Sequence, residues 1–169
     1  MQWTTKNMAL CAVLAALALG LSTLENLFPV TALVPVPGVK LGLANIVTVF
    51  ALYRLGAPEA LAILLVRCAL GGLFAGNVSA LLFSTLGGLC AMGVMILLRR
   101  WRRLSVYGVS IGGAAAHNIG QMAAAVITLG STMVLGYLPF LLAVSLFTGT
   151  LTGFVTALLL RATSHIRFR

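Results

Sequence analysis

Pro35-Val-Pro-Gly-Val-Lys-Leu-Gly-Leu-Ala-Asn45 breaks an otherwise almost continuous series of apolar runs, and its reading decides how the chain is divided. Proline fixes φ and has no backbone donor, so Pro29, Pro35 and Pro37 hold this segment out of a helix. Gly38 permits a tight turn, and Lys40 stands at the doorway of the next apolar run, with Asn45 just inside it. Polar residues at such a junction either anchor a chain at a membrane surface or face something bound there.

Outward from this stretch the sequence is too apolar for water. Of 169 residues, 61% are hydrophobic and 8% are charged, and the mean hydropathy is +1.12. A soluble domain carries roughly 25% charged residues, so this chain has too few to cover a water-facing surface. Lipid is the solvent in which it is stable. A spanning helix takes about 20 apolar residues, and such runs recur. The first run has no convincing signal-peptidase site and leads directly into further apolar sequence, so it reads as retained.

Six helices are expected: Asn7 to Leu27, Leu41 to Leu55, Pro58 to Gly76, Val78 to Leu98, Gly108 to Leu129, and Tyr137 to Leu160. Gly56-Ala-Pro58 separates the second and third, with Pro58 suited to a first helical turn, and Asn77 marks the next turn. The expected fold is an all-α integral membrane protein, a compact six-transmembrane-helix bundle forming one domain over residues 1–169.

The net charge of +9 gives the topology. Lys6, Arg54, Arg99, Arg100, Arg102, Arg103, Arg161, Arg167 and Arg169 fall on one side of the six-helix arrangement, and Lys40 on the other. The positive-inside rule then places both termini in the cytoplasm, with membrane lipid as the chain's first partner. No aromatic-interleaved basic face suggests nucleic acid. Cys11, Cys68 and Cys90 lie in separate apolar runs without metal or disulfide spacing.

Gly72 and Gly76, Gly108 and Gly112, and Gly149 and Gly153 have the GxxxG spacing that lets helices approach closely, read here as packing within the bundle. Ala9, Ala12 and Ala16 form a similar smooth strip on the first helix, suited to internal packing or to a partner subunit.

Polar residues inside the apolar runs mark a candidate pocket. Arg67 falls near mid-membrane, where an arginine costs at least ~2.5–3.5 kcal/mol and must face a partner or a cavity. Glu25 is the acidic residue within reach, since Glu59 lies at the cytoplasmic end of the arginine's own helix. A structural Glu25–Arg67 pair and a binding role both remain open. His117 and Gln121 share a helical face at i and i+4, with Asn118 beside Gln121. Together with Glu25, Lys40, Asn45, Asn77 and Arg67 they describe a pocket in the outer half of the bundle, suited to an anionic or strongly dipolar ligand. The chain contains no aspartate, no P-loop signature and no serine–histidine–carboxylate set. No catalytic residue, metal or cofactor is assigned, and an enzyme is not expected.

Glu25-Asn-Leu-Phe-Pro29, Pro37-Gly-Val-Lys-Leu-Gly-Leu-Ala-Asn45, the Arg67 helix, Gly76-Asn77, Gly87-Gly88, His117-Asn-Ile-Gly-Gln121 and Thr148-Gly-Thr-Leu-Thr-Gly153 resemble a bacterial membrane family. That family is labelled Gx transporter or heptaprenyl diphosphate synthase component I, and the likeness covers nearly the whole chain. It is grouped with the S components of energy-coupling factor (ECF) transporters, six-helix proteins with cytoplasmic termini. The resemblance implies capture of a vitamin-like micronutrient near the outer face, with residues 29–40 as a gate. It also implies docking through Ala12 and Ala16 on an ECF coupling subunit served by two ATPase subunits. The principal expectation is therefore a substrate-binding subunit of an ECF-type importer. An accessory membrane component of prenyl diphosphate or quinone synthesis is the alternative, with Lys40 and Arg67 meeting a diphosphate. A third reading, from relatives in flavin- or quinone-linked electron transfer, leaves a flavin or quinone as the bound molecule.

Overall fold

A computed structural model of the chain describes residues 5–27, 42–101 and 103–166. Lys40, the three prolines before it and the expected gate lie outside the described residues. Six α-helices run as α1 (Thr5–Leu27), α2 (Leu43–Arg54), α3 (Ala57–Ala75), α4 (Val78–Arg100), α5 (Val106–Leu129) and α6 (Leu138–Ala162), with a 3-10 segment at Thr132–Tyr137 before α6. The described residues contain no strand.

Local chemistry sets the boundaries. Gly56 with Pro58 opens α3. Gly76, at φ 59°, ends it in the left-handed region that glycine tolerates. Asn77 caps α4, its side chain accepting from the Ser79 N–H at 2.8 Å. Ser105 caps α5 in the same way.

Four segments, Thr5–Glu25, Ala57–Ala75, Val78–Arg100 and Thr132–Ala162, are long and apolar enough to cross a membrane. Two helices differ from the expected six spans for separate reasons. At ~1.5 Å per residue the 12 residues of α2 extend about 18 Å, short of the ~30 Å hydrocarbon core. By length α5 suffices, with 24 residues, but His117, Asn118 and Gln121 dilute its apolar character at the centre. Large apolar side chains such as Leu17, Val66, Phe74, Phe147 and Phe154 point outward. A helical membrane bundle with lipid around it accounts for that exposure.

The core joins α1, α2, α3, α4 and the start of α5 through Leu14, Ala18, Val49, Leu52, Ile63, Leu64, Met92 and Val109. Glycine brings α5 against both neighbours. A Cβ on Gly120 would lie 2.6 Å from the Leu86 carbonyl oxygen of α4. One on Gly149 would lie 2.5 Å from Cα of Ile111, and one on Gly153 3.0 Å from Cα of Tyr107. The Gly149/Gly153 pair thus packs within the bundle, as expected. The Gly72/Gly76 pair does not act as a pair, because Gly76 terminates α3 and nothing approaches its Cβ position within 4 Å.

Hydrogen bonds fix the relative ends. The Gly42 N–H at the start of α2 donates to Glu25 Oε1, near the end of α1, at 2.7 Å. Arg54 Nη2 donates to the Leu160 carbonyl at 3.0 Å and to Thr163 Oγ1 at 2.9 Å. Arg99 donates to the carbonyls of Leu52 and Tyr53 and lies 5.1 Å from the centroid of the Tyr53 ring. The last turns of α2, α4 and α6 therefore gather at one end, where arginines satisfy terminal carbonyls and complement the negative ends of the helix dipoles. With short links reversing direction from α2 to α6, the described chain begins and ends on that same face.

Candidate functional site

The helix crossing that glycine permits also creates a cavity. Gly87 of α4 has no side chain where α5 passes. A Cβ there would lie 2.9 Å from His117 Cε1 and 3.0 Å from Gln121 Cγ. Gly88, on the next face, accommodates Leu64 of α3, which would otherwise meet a Cβ at 2.7 Å. The polar face of α5 is drawn in against α4, and a cavity of about 300 Å³ opens beside it. All six helices or their caps contribute to its lining.

Six of the residues singled out from sequence meet there: Glu25, Asn45, Arg67, His117, Asn118 and Gln121. Glu25, Arg67 and Gln121 are buried, at 7%, 8% and 5% exposure. Glu25 accepts from Gly42, and Asn118 Nδ2 donates to the Leu141 carbonyl of α6 at 2.8 Å. Arg67 is held differently. Its Nε and Nη2 are buried without a hydrogen-bond partner among the described residues. No hydrogen bond or ion pair joins it to Glu25, although both line the cavity. The structural pair left open by the sequence is not formed here.

The other expected residues are not in the described lining. Asn77 is exposed and serves as the cap of α4, outside the cavity lining. Lys40 lies outside the described residues. Ala12 and Ala16 are exposed on α1, away from the cavity.

Several lining residues had not been assigned to the site: Ser22, Gly42, Phe83, Ser84, Thr148 and Thr152. The signal for two of them was present, since Thr148 and Thr152 share one face of an apolar helix at i and i+4. Their hydroxyls donate to the carbonyls of Val144 and Thr148 on their own helix, at 3.3 and 2.6 Å. That leaves oxygen lone pairs toward the cavity and hides the residues among ordinary membrane threonines.

The lining carries charge of both signs. One carboxylate, already accepting a backbone N–H, faces a guanidinium and the N-terminal turn of α2, whose Gly42, Ala44 and Asn45 line the cavity. A helix N-terminus carries about half a positive charge and presents free N–H groups. Among the described residues no cluster of histidine, cysteine or acidic side chains could hold a metal ion.

A family model described as heptaprenyl diphosphate synthase component I matches residues 14–159. No curated protein and no solved structure matches the chain.

Proposed function

The chain belongs to the heptaprenyl diphosphate synthase component I family, and from that membership we propose a membrane-embedded, non-catalytic accessory subunit of prenyl diphosphate synthesis. Its own chemistry is binding: a small anionic or dipolar molecule held around Arg67. The observation that carries this reading is the buried guanidinium, short of hydrogen-bond partners and facing a cavity that every helix helps to line. An arginine at that depth is sustained by a partner, and the described residues do not supply one at Nε or Nη2. Prenyl transfer itself falls to a partner component, since this chain has no aspartate with which to build an Asp-rich magnesium site.

The proposal includes a topology. All six helices cross a bacterial inner membrane as one unit, with the arginine-rich end and both termini in the cytoplasm. The cavity then lies toward the outer half. The partner docks on the smooth, exposed strip of Ala12 and Ala16. This outward cavity also supports a second reading, an ECF-type import subunit, in which coupling and ATPase subunits take the place of the synthase component.

Co-purification from native membranes separates the two. Recovery of a soluble prenyl synthase supports the accessory role, recovery of coupling and ATPase subunits supports import, and Ala12→Trp or Ala16→Trp removes the partner while leaving the cavity intact. Loss of folding in those variants would assign the strip to internal packing. The cavity is tested by binding measurements with Arg67→Ala and Gln121→Ala, both expected to lose affinity for isopentenyl diphosphate. Unchanged affinity in both would end the assignment.

A further inference from the structure

The two charged side chains that line the Arg67 cavity have opposite signs and stand on different helices, Glu25 near the end of α1 and Arg67 within α3. Both are buried, yet no hydrogen bond or ion pair joins them. The 2.7 Å bond that Glu25 Oε1 accepts from the Gly42 N–H holds the carboxylate at the start of α2 rather than at Arg67. It also sets the carboxylate against the positive end of α2, which offsets about half a charge. The α2 N-terminus is therefore already engaged by Glu25, and Arg67 is the positive pole left to a ligand. Glu25, only partly compensated, is the negative pole. His117 is the other titratable side chain of the lining. With that imidazole neutral, one carboxylate stands against one guanidinium and the lining carries no net charge.

We propose that this cavity takes a zwitterion of about amino-acid size, with its carboxylate on Arg67 and its ammonium toward Glu25. This rests on the reading of the cavity as a binding site and names the class of molecule that fits it. Intramembrane charges are costly unless something answers them. A plain anion would answer Arg67 but bring like charge up to Glu25, and a plain cation would do the reverse. One molecule with both poles compensates both walls and carries no net charge into the bilayer. The contacts agree with that orientation. Arg67 Nε and Nη2, both without a partner among the described residues, form the edge with which a guanidinium grips the two oxygens of a carboxylate. An ammonium has donors only, and a carboxylate has acceptors only. Gly42 engages Oε1 of Glu25, and no described residue bonds to Oε2. Size sets the upper bound. At ~30 Å³ for each water-sized unit, the cavity of about 300 Å³ holds roughly ten non-hydrogen atoms.

The test measures binding to the full chain in nanodiscs with β-alanine, γ-aminobutyrate, δ-aminovalerate and ε-aminocaproate. This series keeps the two charges and varies the distance between them. Valerate and pentylamine are the single-charge controls, and isopentenyl diphosphate is the multiply charged one. At least one amino acid of the series is expected to bind wild-type protein about tenfold or more tighter than either single-charge control. Arg67→Gln and Glu25→Gln should each weaken that amino acid by roughly tenfold to a hundredfold, the range for a lost hydrogen bond to a charged group. Glutamine keeps an acceptor for the Gly42 N–H, and thermal unfolding checks that both variants fold. Glu25→Gln carries the sharper signature, because it should weaken the amino acid while leaving valerate unchanged or tighter. A merely structural role for Glu25 would weaken both together.

Equal binding of valerate and the best amino acid to wild-type protein would overturn the zwitterion, and that comparison does not depend on either variant folding. So would an amino-acid affinity that Glu25→Gln leaves unchanged. Binding of isopentenyl diphosphate with none of the amino acids overturns the zwitterion and leaves the cavity assignment standing. Binding of no probe at all overturns both.

Discussion

Glu25 and Asn77 show how far a polar residue in an apolar sequence can be read. Both stood out for the same reason, yet one faces the cavity and the other closes a helix. Their consequences should separate. Glu25→Ala removes the acceptor of the part-buried Gly42 N–H and is expected to cost roughly 1.5–3 kcal/mol of stability, the range for a hydrogen bond to a charged group. It should also shift anion binding, because the carboxylate lines the site. Asn77→Ala should cost roughly 0.5–2 kcal/mol as a lost N-cap and leave binding of isopentenyl diphosphate alone. Thermal unfolding alongside binding checks both, and an affinity change in the Asn77 variant would return that residue to the site. Sequence found Arg67, His117 and Gln121 because amides, imidazoles and guanidinia are costly in lipid and therefore conspicuous. It missed Thr152 and Ser84 because a hydroxyl bonded to its own helix costs little and signals little.

At the scale of helices, the order and ends of the elements were legible, because Pro58, Asn77 and the run Arg99-Arg-Trp-Arg-Arg103 punctuate the sequence chemically. What a given glycine does was not. GxxxG spacing marks Gly72/Gly76 and Gly149/Gly153 alike, but only the second pair meets a neighbouring backbone. Gly120, outside any such pair, makes an equally close approach, to Leu86 and Gly87 of α4. Contact between distant segments decides the role, and local spacing does not encode it. Gly120→Ala and Gly149→Ala should therefore destabilise by roughly 1–3 kcal/mol, the overpacking range. Gly20→Ala and Gly93→Ala, with nothing within 4 Å, should be neutral or gain up to about 1 kcal/mol from helix propensity. Thermal unfolding of the four variants is the check. Equal losses in all of them would mean that flexibility, not contact, is what these glycines supply.

For the whole molecule the open question is how many helices cross, and the arginine-rich end supplies the argument. If α1, α3, α4 and α6 alone crossed, with the N-terminus inside, the α4–α5 connection would lie outside and carry Arg103 with it, against the positive-inside rule. It would also separate groups that touch. Arg99 at the end of α4 donates to the last carbonyls of α2, and Arg54 at the end of α2 donates to Leu160 near the end of α6. These three ends share one face, so all lie on one side of the bilayer. With six crossings every one of these contacts falls in the cytoplasm. The short α2, about 18 Å long, then reaches from that face only part of the way across, which leaves its N-terminus within the bilayer, aimed at the cavity. Helix ends at such depth serve as anion sites in membrane transporters. Reporter fusions decide between the arrangements. A fusion after Ser105 should report the cytoplasm and one after Gly130 the outside, whereas four crossings place the first outside. A reporter after Ser105 that is active outside the membrane would overturn the six-crossing topology and, with it, the outward-facing cavity.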